Sequence, residues 1–220
     1  IKLLLCLASQ KSSLDFPLYA SFNQGLEKSA FGAYYRKLGN IEGGLSLIIL
    51  SSPNVRRTIA IGRAIGRAAP SGSIIAFRGD LGAGKTTLAK GVAQGLGITE
   101  PIISPTFTII AEYQGRLHLV HIDAYRLLDE DEFVQTGGEE LLGLPGSLSL
   151  IEWSERIAGI LPKETQYITM VVEEDGSRII MIEGDWIENI DWRRFVIPRF
   201  LDLEHASALI KRFQDDCTFD

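Results

Sequence analysis

The 220-residue sequence has few of the features that mark disulfide-rich, zinc-binding or membrane-spanning proteins. Its two cysteines, Cys6 and Cys217, lie far apart and have no metal-type partner spacing, so neither a disulfide framework nor a zinc site is indicated. No apolar run approaches the ~18 residues of a membrane span. We therefore expect a soluble, cytoplasmic protein that does not bind membranes.

An excess of positive charge is also absent. The chain has 22 Lys and Arg against 28 Asp and Glu, a net charge of −6 and a pI near 5.2. Such a protein is not a general attractor for nucleic acids, so any contact with RNA is expected to be local or indirect. With 45% hydrophobic residues, the chain suits one globular domain and a modest extension.

The sequence divides into three parts. We predict an N-terminal extension of unclear role over residues 1–44, a nucleotide-binding domain over 45–185 and a C-terminal extension over 186–220 that is helical in part. The opening IKLLLCLASQ has an apolar run of about six residues, shorter than the core of a signal peptide, which disfavours export. An organellar transit segment is a second, minor interpretation. A stripe at helical spacing in the C-terminal part predicts a helix with Leu203, Ala206, Leu209, Ile210 and Phe213 on one face.

From residue 45 the pattern becomes regular. LSLIIL predicts a strand and the following segment a helix, with Ser52 as N-cap and Pro53 in its first turn. SIIAF is a continuous apolar run of the kind found in strands buried on both faces. TTLAKGVAQGLG predicts a second helix. Glycines fill the connection between SIIAF and this helix.

That connection matches the P-loop pattern GxxxxGK[ST] through Gly79, Gly84, Lys85 and Thr86. Bare backbone N–H groups surround a phosphate in this loop, the lysine reaches the β- and γ-phosphates, and the hydroxyl ligates Mg²⁺. The sequence therefore predicts a nucleotide and Mg²⁺ as cofactors. The residues expected around the nucleotide are Asp80, Leu81, Gly82, Ala83, Gly84, Lys85, Thr86 and Thr87.

A second magnesium ligand is predicted at Glu152. It follows the apolar run Leu148–Ile151, where a buried parallel strand would bring a carboxylate beside the P-loop. An ordinary acid at a strand end is about as good an interpretation from position alone.

Thr106 and Asp123 are predicted to converge on one site. FTIIAEY and LHLVHID are expected to pair as a hairpin across Gln114-Gly115, which returns both residues to one edge of the sheet. There they could position the attacking water, or they could merely cap the hairpin. His118 and His121 are interpreted as solvated histidines on the non-apolar face of the strand.

Taken in order, the segments GDLGAGKTTLAKG, SPTFTI, HIDAYRL and LIEWSERI resemble the TsaE (YjeE) family of P-loop ATPases. The resemblance covers residues 46–184 and includes QYITMVVEEDGSRIIMIEG, which is similar to the family's terminal hairpin. It implies an α/β fold, with a mixed sheet whose parallel core binds the nucleotide and is flanked by helices. It also implies weak Mg²⁺-dependent ATPase activity that supports threonylcarbamoyladenosine formation on tRNA, with TsaD and TsaB as protein partners and tRNA met only through their complex.

The resemblance also assigns roles to individual residues. Lys85 and Thr86 take the P-loop roles, Glu152 binds magnesium, and Asp123 positions water or supports a ligand. Trp153 becomes an aromatic neighbour of the nucleotide, although packing in the core would explain it as well. The predicted catalytic set is Lys85, Thr106, Asp123 and Glu152.

Other classes of P-loop protein remain to be compared. A GTPase should have an N-K-x-D element, yet no asparagine here is followed by lysine. A small-molecule kinase should have an arginine-rich lid, and the interval between the P-loop and Glu152 offers only Arg116 and Arg126. The kinase is the alternative enzyme. A third hypothesis is an assembly protein in which ATP binding, more than turnover, drives association with partners.

Overall fold

The computed structural model describes residues 47–195, which form a seven-stranded sheet and three α-helices. The strands are β1 (Leu47–Ser52), β2 (Ser73–Arg78), β3 (Ile110–Tyr113), β4 (His118–Asp123), β5 (Ser147–Glu152), β6 (Gln166–Val172) and β7 (Arg178–Glu183). The helices are α1 (Val55–Ala68), α2 (Lys85–Gly95) and α3 (Glu130–Gln135). Short 3-10 turns lie at Ala124–Arg126, Glu139–Leu141, Ser154–Ile157, Ile187–Asn189 and Trp192–Phe195.

The sheet is mixed, as predicted. Its strand order is β1-β7-β6-β2-β5-β4-β3, and the four strands β6, β2, β5 and β4 are mutually parallel. The predicted hairpins are confirmed, because β3 pairs antiparallel with β4 and β6 with β7. Strand β3 begins at Ile110, so Thr106 lies in a turn before the strand and not at its start. The glycine-rich loop thus follows an inner strand of the parallel core.

Helix α1 begins two residues later than predicted. The predicted N-cap Ser52 is wrong: it is the last residue of β1, and its hydroxyl lies 2.8 Å from that of Thr58. The N-cap is Asn54, whose Oδ1 accepts the N–H of Arg57 at 3.0 Å. A cap needs extended backbone and an acceptor aimed at the third residue of the helix, and Asn54 provides both.

Helices α1 and α2 pack so closely that glycine is required between them. A Cβ on Gly66 would lie 2.1 Å from the carbonyl oxygen of Val92, and one on Gly91 would lie 2.4 Å from that of Ile59. This pair of helices covers one face of the sheet through side chains such as Leu88, and the hydrophobic core there continues into Phe77. The packing fixes α2, and with it the loop that precedes α2.

The opposite face of the sheet carries a smaller core around Phe133, Val120, Ile122 and Ile151. Among residues 47–195, none of the helices combines the length and the hydrophobicity of a membrane span. The predicted helix with Leu203 to Phe213 and the predicted extension over residues 1–44 lie outside the described residues. Residues 45–185 stay a predicted domain, since the described range does not test its boundaries.

Candidate nucleotide site

The glycine-rich loop joins the carboxyl end of β2 to the first residue of α2. Gly79, Gly82 and Gly84 have φ angles of 129°, 81° and 107°, a region that favours glycine. A Cβ on Gly79 would also lie 2.2 Å from the backbone oxygen of Met170 in β6. Gly84 caps α2 without a side-chain hydrogen bond, so the amides of the first turn point into the loop unblocked. This backbone is shaped to hold an anion.

Lys85 is buried inside this loop. Its Nζ donates to the carbonyl oxygens of Gly79 and, at 3.0 Å, Asp80. The residue as a whole is only 4% exposed. The Nζ also lies 3.8 Å from the ring centroid of Trp153. Burial lowers the pKa of Lys85 below its ordinary value. Four carboxylates act in the opposite direction, those of Glu155, Glu152, Asp123 and Asp80.

Trp153 packs in the core and also lies beside the P-loop, and its contact with a nucleotide stays a prediction. Its backbone has a φ of 59°, in the left-handed region, directly after β5. The ring packs against the smaller core and lies 4.9 Å from the ring of Tyr125, centroid to centroid. The same ring lies beneath the Lys85 ammonium, so it is both a packing residue and a neighbour of the P-loop.

Glu152 lies at the end of β5, directly beside the P-loop. Strand β5 is parallel to β2, with Phe77 opposite Glu152. The Oγ1 of Thr86 donates to Oε2 of Glu152 at 2.9 Å, and Glu152 is 3% exposed. The structure therefore brings together the hydroxyl and the carboxylate that the sequence indicates as magnesium ligands.

Asp123 occupies the matching position on the next strand. It ends β4, opposite Glu152 in the parallel register, so the two carboxylates stand side by side at the carboxyl edge of the sheet. Its Oδ2 accepts hydrogen bonds from the hydroxyls of Ser104 and, at 2.8 Å, Thr106, and its Oδ1 accepts the N–H of Tyr125 at 3.0 Å. We call Ser104, Thr106, Asp123 and the backbone of Tyr125 the Asp123 cluster.

The interpretation of His118 and His121 as solvated histidines on one face is wrong for His121. Residues three apart in a strand point to opposite faces, and only His118 reaches the surface, where it bonds Glu112. His121 shares a face with Asp123, the face of the sheet that carries the larger core, and is completely buried. Its Nε2 lies 2.9 Å from Oε1 of Glu152.

Of the two arginines in the alternative kinase interpretation, Arg116 is poorly placed for a lid. Arg116 lies at the other end of β4 from Asp123, where its guanidinium donates to the carbonyl oxygens of Gly66 and Ala69 at 2.8 and 2.9 Å. Arg116 therefore caps the C-terminal end of α1 by bonding its free carbonyl groups. Arg126 lies over the ring of Phe107, 4.5 Å from its centroid.

Sequence reasoning missed Ser104, Tyr125 and His121 as parts of the site. Ser104 stands two residues before Thr106 in the same Ser-Pro turn, a spacing that could have indicated a second hydroxyl on Asp123. His121 stands two residues before Asp123, and the two-residue period of a strand was the available signal. Tyr125 contributes through its backbone and ring, for which the sequence held no specific signal.

A cavity of about 560 Å³ adjoins the Asp123 cluster and not the P-loop. Tyr125, whose N–H bonds Asp123, forms part of its wall. Its other lining residues are Phe107, Ile109, Arg126, Leu127, Leu128, Glu132 and Arg156.

Comparison with known proteins gives a consistent result. The family model for the threonylcarbamoyl adenosine biosynthesis protein TsaE matches residues 52–180, more than half of the chain. A tRNA threonylcarbamoyladenosine biosynthesis protein TsaE from Treponema pallidum is 44% identical over 131 residues, covering 60% of this chain and 96% of that protein. One from Bacillus subtilis is 44% identical over 128 residues, covering 58% and 79% of the two chains.

The fold is also that of a solved structure. The crystal structure of Bacillus subtilis YdiB superimposes with a TM-score of 0.54 at 32% sequence identity. The match covers 77% of this chain and 97% of that one. The predicted P-loop-like α/β fold with a parallel core is therefore confirmed.

Proposed function

The chain belongs to the TsaE family and so to the biosynthesis of threonylcarbamoyladenosine on tRNA. We propose that it binds and hydrolyses ATP with Mg²⁺ and acts as an accessory protein of that modification. The observation that carries the proposal is the 2.9 Å contact between Thr86 of the P-loop and Glu152 of the neighbouring strand. A bare glycine-rich connector would not require this hydroxyl and this carboxylate to meet.

The residues present fit a magnesium ion and a polyphosphate. Mg²⁺ prefers oxygen ligands at about 2.0–2.1 Å in an octahedron, in which neighbouring ligands stand roughly 2.9 Å apart. Thr86 Oγ1 and Glu152 Oε2 have this separation. The unblocked amides of the loop and the buried Lys85 supply the donors and the positive charge that phosphates require.

The chain's own groups then divide the chemistry. Lys85 and the loop amides hold the phosphates and offset negative charge where it develops. Mg²⁺, when bound by Thr86 and Glu152, would supply further positive charge at the phosphates. Asp123 has its carboxylate fixed by three hydrogen bonds, and with Thr106 it holds the attacking water in line. Trp153 beneath Lys85 keeps the ammonium facing the loop.

Replacing Glu152 by Gln tests the magnesium role. The amide keeps the shape of the side chain but supplies no charge to the ion, so the Mg²⁺ concentration for half-maximal ATP hydrolysis should rise by on the order of 10-fold or more. Glu112, an exposed acid on β3, provides the matched control as Glu112→Gln. Wild-type magnesium dependence in Glu152→Gln would reject the assignment.

TsaD and TsaB are the proposed partners, with tRNA met only through their complex. The acidic charge of −6 supports an indirect route to RNA. Four large apolar side chains in and near the site are more than 70% exposed, which supports a protein contact there: Leu81, Ile103, Phe107 and Leu128.

Association with purified TsaD and TsaB should depend on the nucleotide. We expect co-purification with Mg²⁺ and ATP to exceed that without nucleotide, and Phe107→Ser to reduce it while leaving ATP binding intact. Val172→Ser, at an exposed position on β6, serves as the control. Equal recovery with and without ATP would contradict nucleotide-dependent docking.

A further inference from the structure

The structure contains a buried histidine that the proposed chemistry does not yet use. His121 lies in β4 and Glu152 in β5, on the same face of two neighbouring parallel strands. His121 is 0% exposed and Glu152 is 3% exposed. The Nε2 of His121 lies 2.9 Å from Oε1 of Glu152. Burying a polar pair of this kind costs desolvation free energy, so we expect the pair to serve a function.

The contact fixes one oxygen of Glu152 and leaves the other for the P-loop. Oε1 is a pure acceptor when the carboxylate is charged, so Nε2 carries the proton and donates. Oε2 accepts from Thr86 Oγ1 at 2.9 Å. With both oxygens bonded, the carboxylate cannot rotate about its terminal bond without losing a hydrogen bond.

The other ring nitrogen, Nδ1, makes no hydrogen bond in the described part of the chain that would give His121 a second polar partner. His121 Nδ1 has no hydrogen-bond partner within residues 47–195, although it is buried. The ring is therefore held by packing and by the single bond to Glu152. Its only polar interaction in the described part of the chain is with a proposed magnesium ligand.

We propose that His121 is a positioning residue of the magnesium site, holding Oε1 of Glu152 so that Oε2 stays aimed at Thr86 and the ion. The inference rests on the proposed function. Partners that orient ligating carboxylates commonly contribute 10- to 100-fold to metal affinity. Removing the N–H donor should therefore weaken the contribution of Mg²⁺ without weakening the contribution of the P-loop backbone.

The test measures binding and not turnover. The dissociation constant of the non-hydrolysable analogue AMP-PNP is determined by calorimetry in excess Mg²⁺ and again in EDTA. The dissociation constant in EDTA divided by that in Mg²⁺ reports how much the ion strengthens binding. In His121→Leu we expect this ratio to fall by about 10-fold, with the constant in EDTA within about 2-fold of wild type.

Two further variants separate positioning from packing. A glutamine amide nitrogen is the same number of bonds from Cβ as Nε2, whereas an asparagine nitrogen matches Nδ1, which faces away from Glu152. His121→Gln should therefore keep the wild-type ratio and His121→Asn should lose about 10-fold. The pair decides the question even if His121→Leu does not fold. His118→Gln, on the opposite face of β4, should change nothing.

The outcomes separate the inference from the function beneath it. An unchanged ratio in His121→Asn, or an equal loss of affinity with and without Mg²⁺, would overturn the positioning role and leave ATP binding in place. A folded wild-type protein that binds no AMP-PNP in either buffer would overturn the proposed function, and the role of His121 with it.

Discussion

The P-loop and the Asp123 cluster reach the same edge of the sheet by different means. The loop is held by backbone: Gly79 lies against the main chain of β6, and α2 is pressed against α1 through glycines. The Asp123 cluster is held by one side chain, whose carboxylate gathers two hydroxyls and one N–H. A substitution at Asp123 should therefore loosen the cluster, whereas the close glycine contacts of the loop and of α2 do not depend on any one side chain.

The two regions also differ in solvent exposure, because the P-loop lysine is buried and the Asp123 cluster has exposed neighbours. Lys85 is 4% exposed, while Phe107, next to Thr106, is 82% exposed. The cavity of about 560 Å³ also lies on the side of the Asp123 cluster. If the proposed function holds, we expect the buried P-loop to hold the nucleotide and the exposed Asp123 cluster to be the part that responds to a nucleotide or a partner.

The largest effect is expected from Lys85→Met. The variant keeps the stem but removes the charge facing the phosphates, a loss comparable to breaking a buried ion pair at about 3–5 kcal/mol. ATP affinity should fall by on the order of 10³-fold in a calorimetric titration. The free protein should melt no lower than wild type, because burial already disfavours the lysine charge. Lys90→Met, at an exposed position on α2, is the control. ATP affinity close to wild type in Lys85→Met would end the P-loop assignment.

Asp123→Asn should separate turnover from binding. The two hydroxyls and the Tyr125 N–H bond different oxygens of Asp123, and an amide has only one acceptor oxygen. The asparagine must therefore lose part of this network, so the water would lose its orientation. We expect single-turnover ATP hydrolysis to fall by on the order of 10²-fold with ATP affinity nearly kept. If affinity and melting temperature fall together with hydrolysis, Asp123 belongs to the scaffold instead.

Gly66→Ala tests the backbone packing behind the P-loop. Alanine is better than glycine in a helix by about 1 kcal/mol, but its Cβ would lie 2.1 Å from the Val92 carbonyl oxygen. Steric overlap should win, and the free energy of unfolding in urea should fall by about 1–2 kcal/mol. Arg67→Ala, exposed on the same helix, should leave it unchanged within about 0.5 kcal/mol. A Gly66→Ala protein as stable as wild type would show that α1 and α2 can move apart to admit a methyl group without loss of stability.

The smallest effect is expected from Thr106→Val, because Ser104 still bonds the same oxygen of Asp123. Single-turnover hydrolysis should fall by less than about 10-fold. The double variant Ser104→Ala with Thr106→Val should approach the loss seen in Asp123→Asn, since the two hydroxyls share one acceptor. Additive small losses in the double variant would show that the hydroxyls do not act through Asp123.

The sequence was a good guide where backbone pattern determines the structure. Glycine spacing placed the P-loop, and short apolar runs placed β2 and β5 in the parallel core. It was a poor guide where the environment of a side chain matters. The sequence predicted a solvated His121 because a histidine in a strand carries no sign of what packs over it, and here it is completely buried. Ser52 is not the cap because β1 runs to this residue and the helix begins only at Val55, three residues later.

Titration of ATP into the folded wild-type protein, with Mg²⁺ and then with EDTA, shows directly whether the P-loop binds a nucleotide together with the ion. We expect one ATP bound per chain, with tighter binding in Mg²⁺ than in EDTA, since Thr86 and Glu152 together offer the ion two oxygen ligands. A protein that is folded by circular dichroism yet releases no heat with ATP, and whose melting temperature ATP does not change in either buffer, would contradict this expectation.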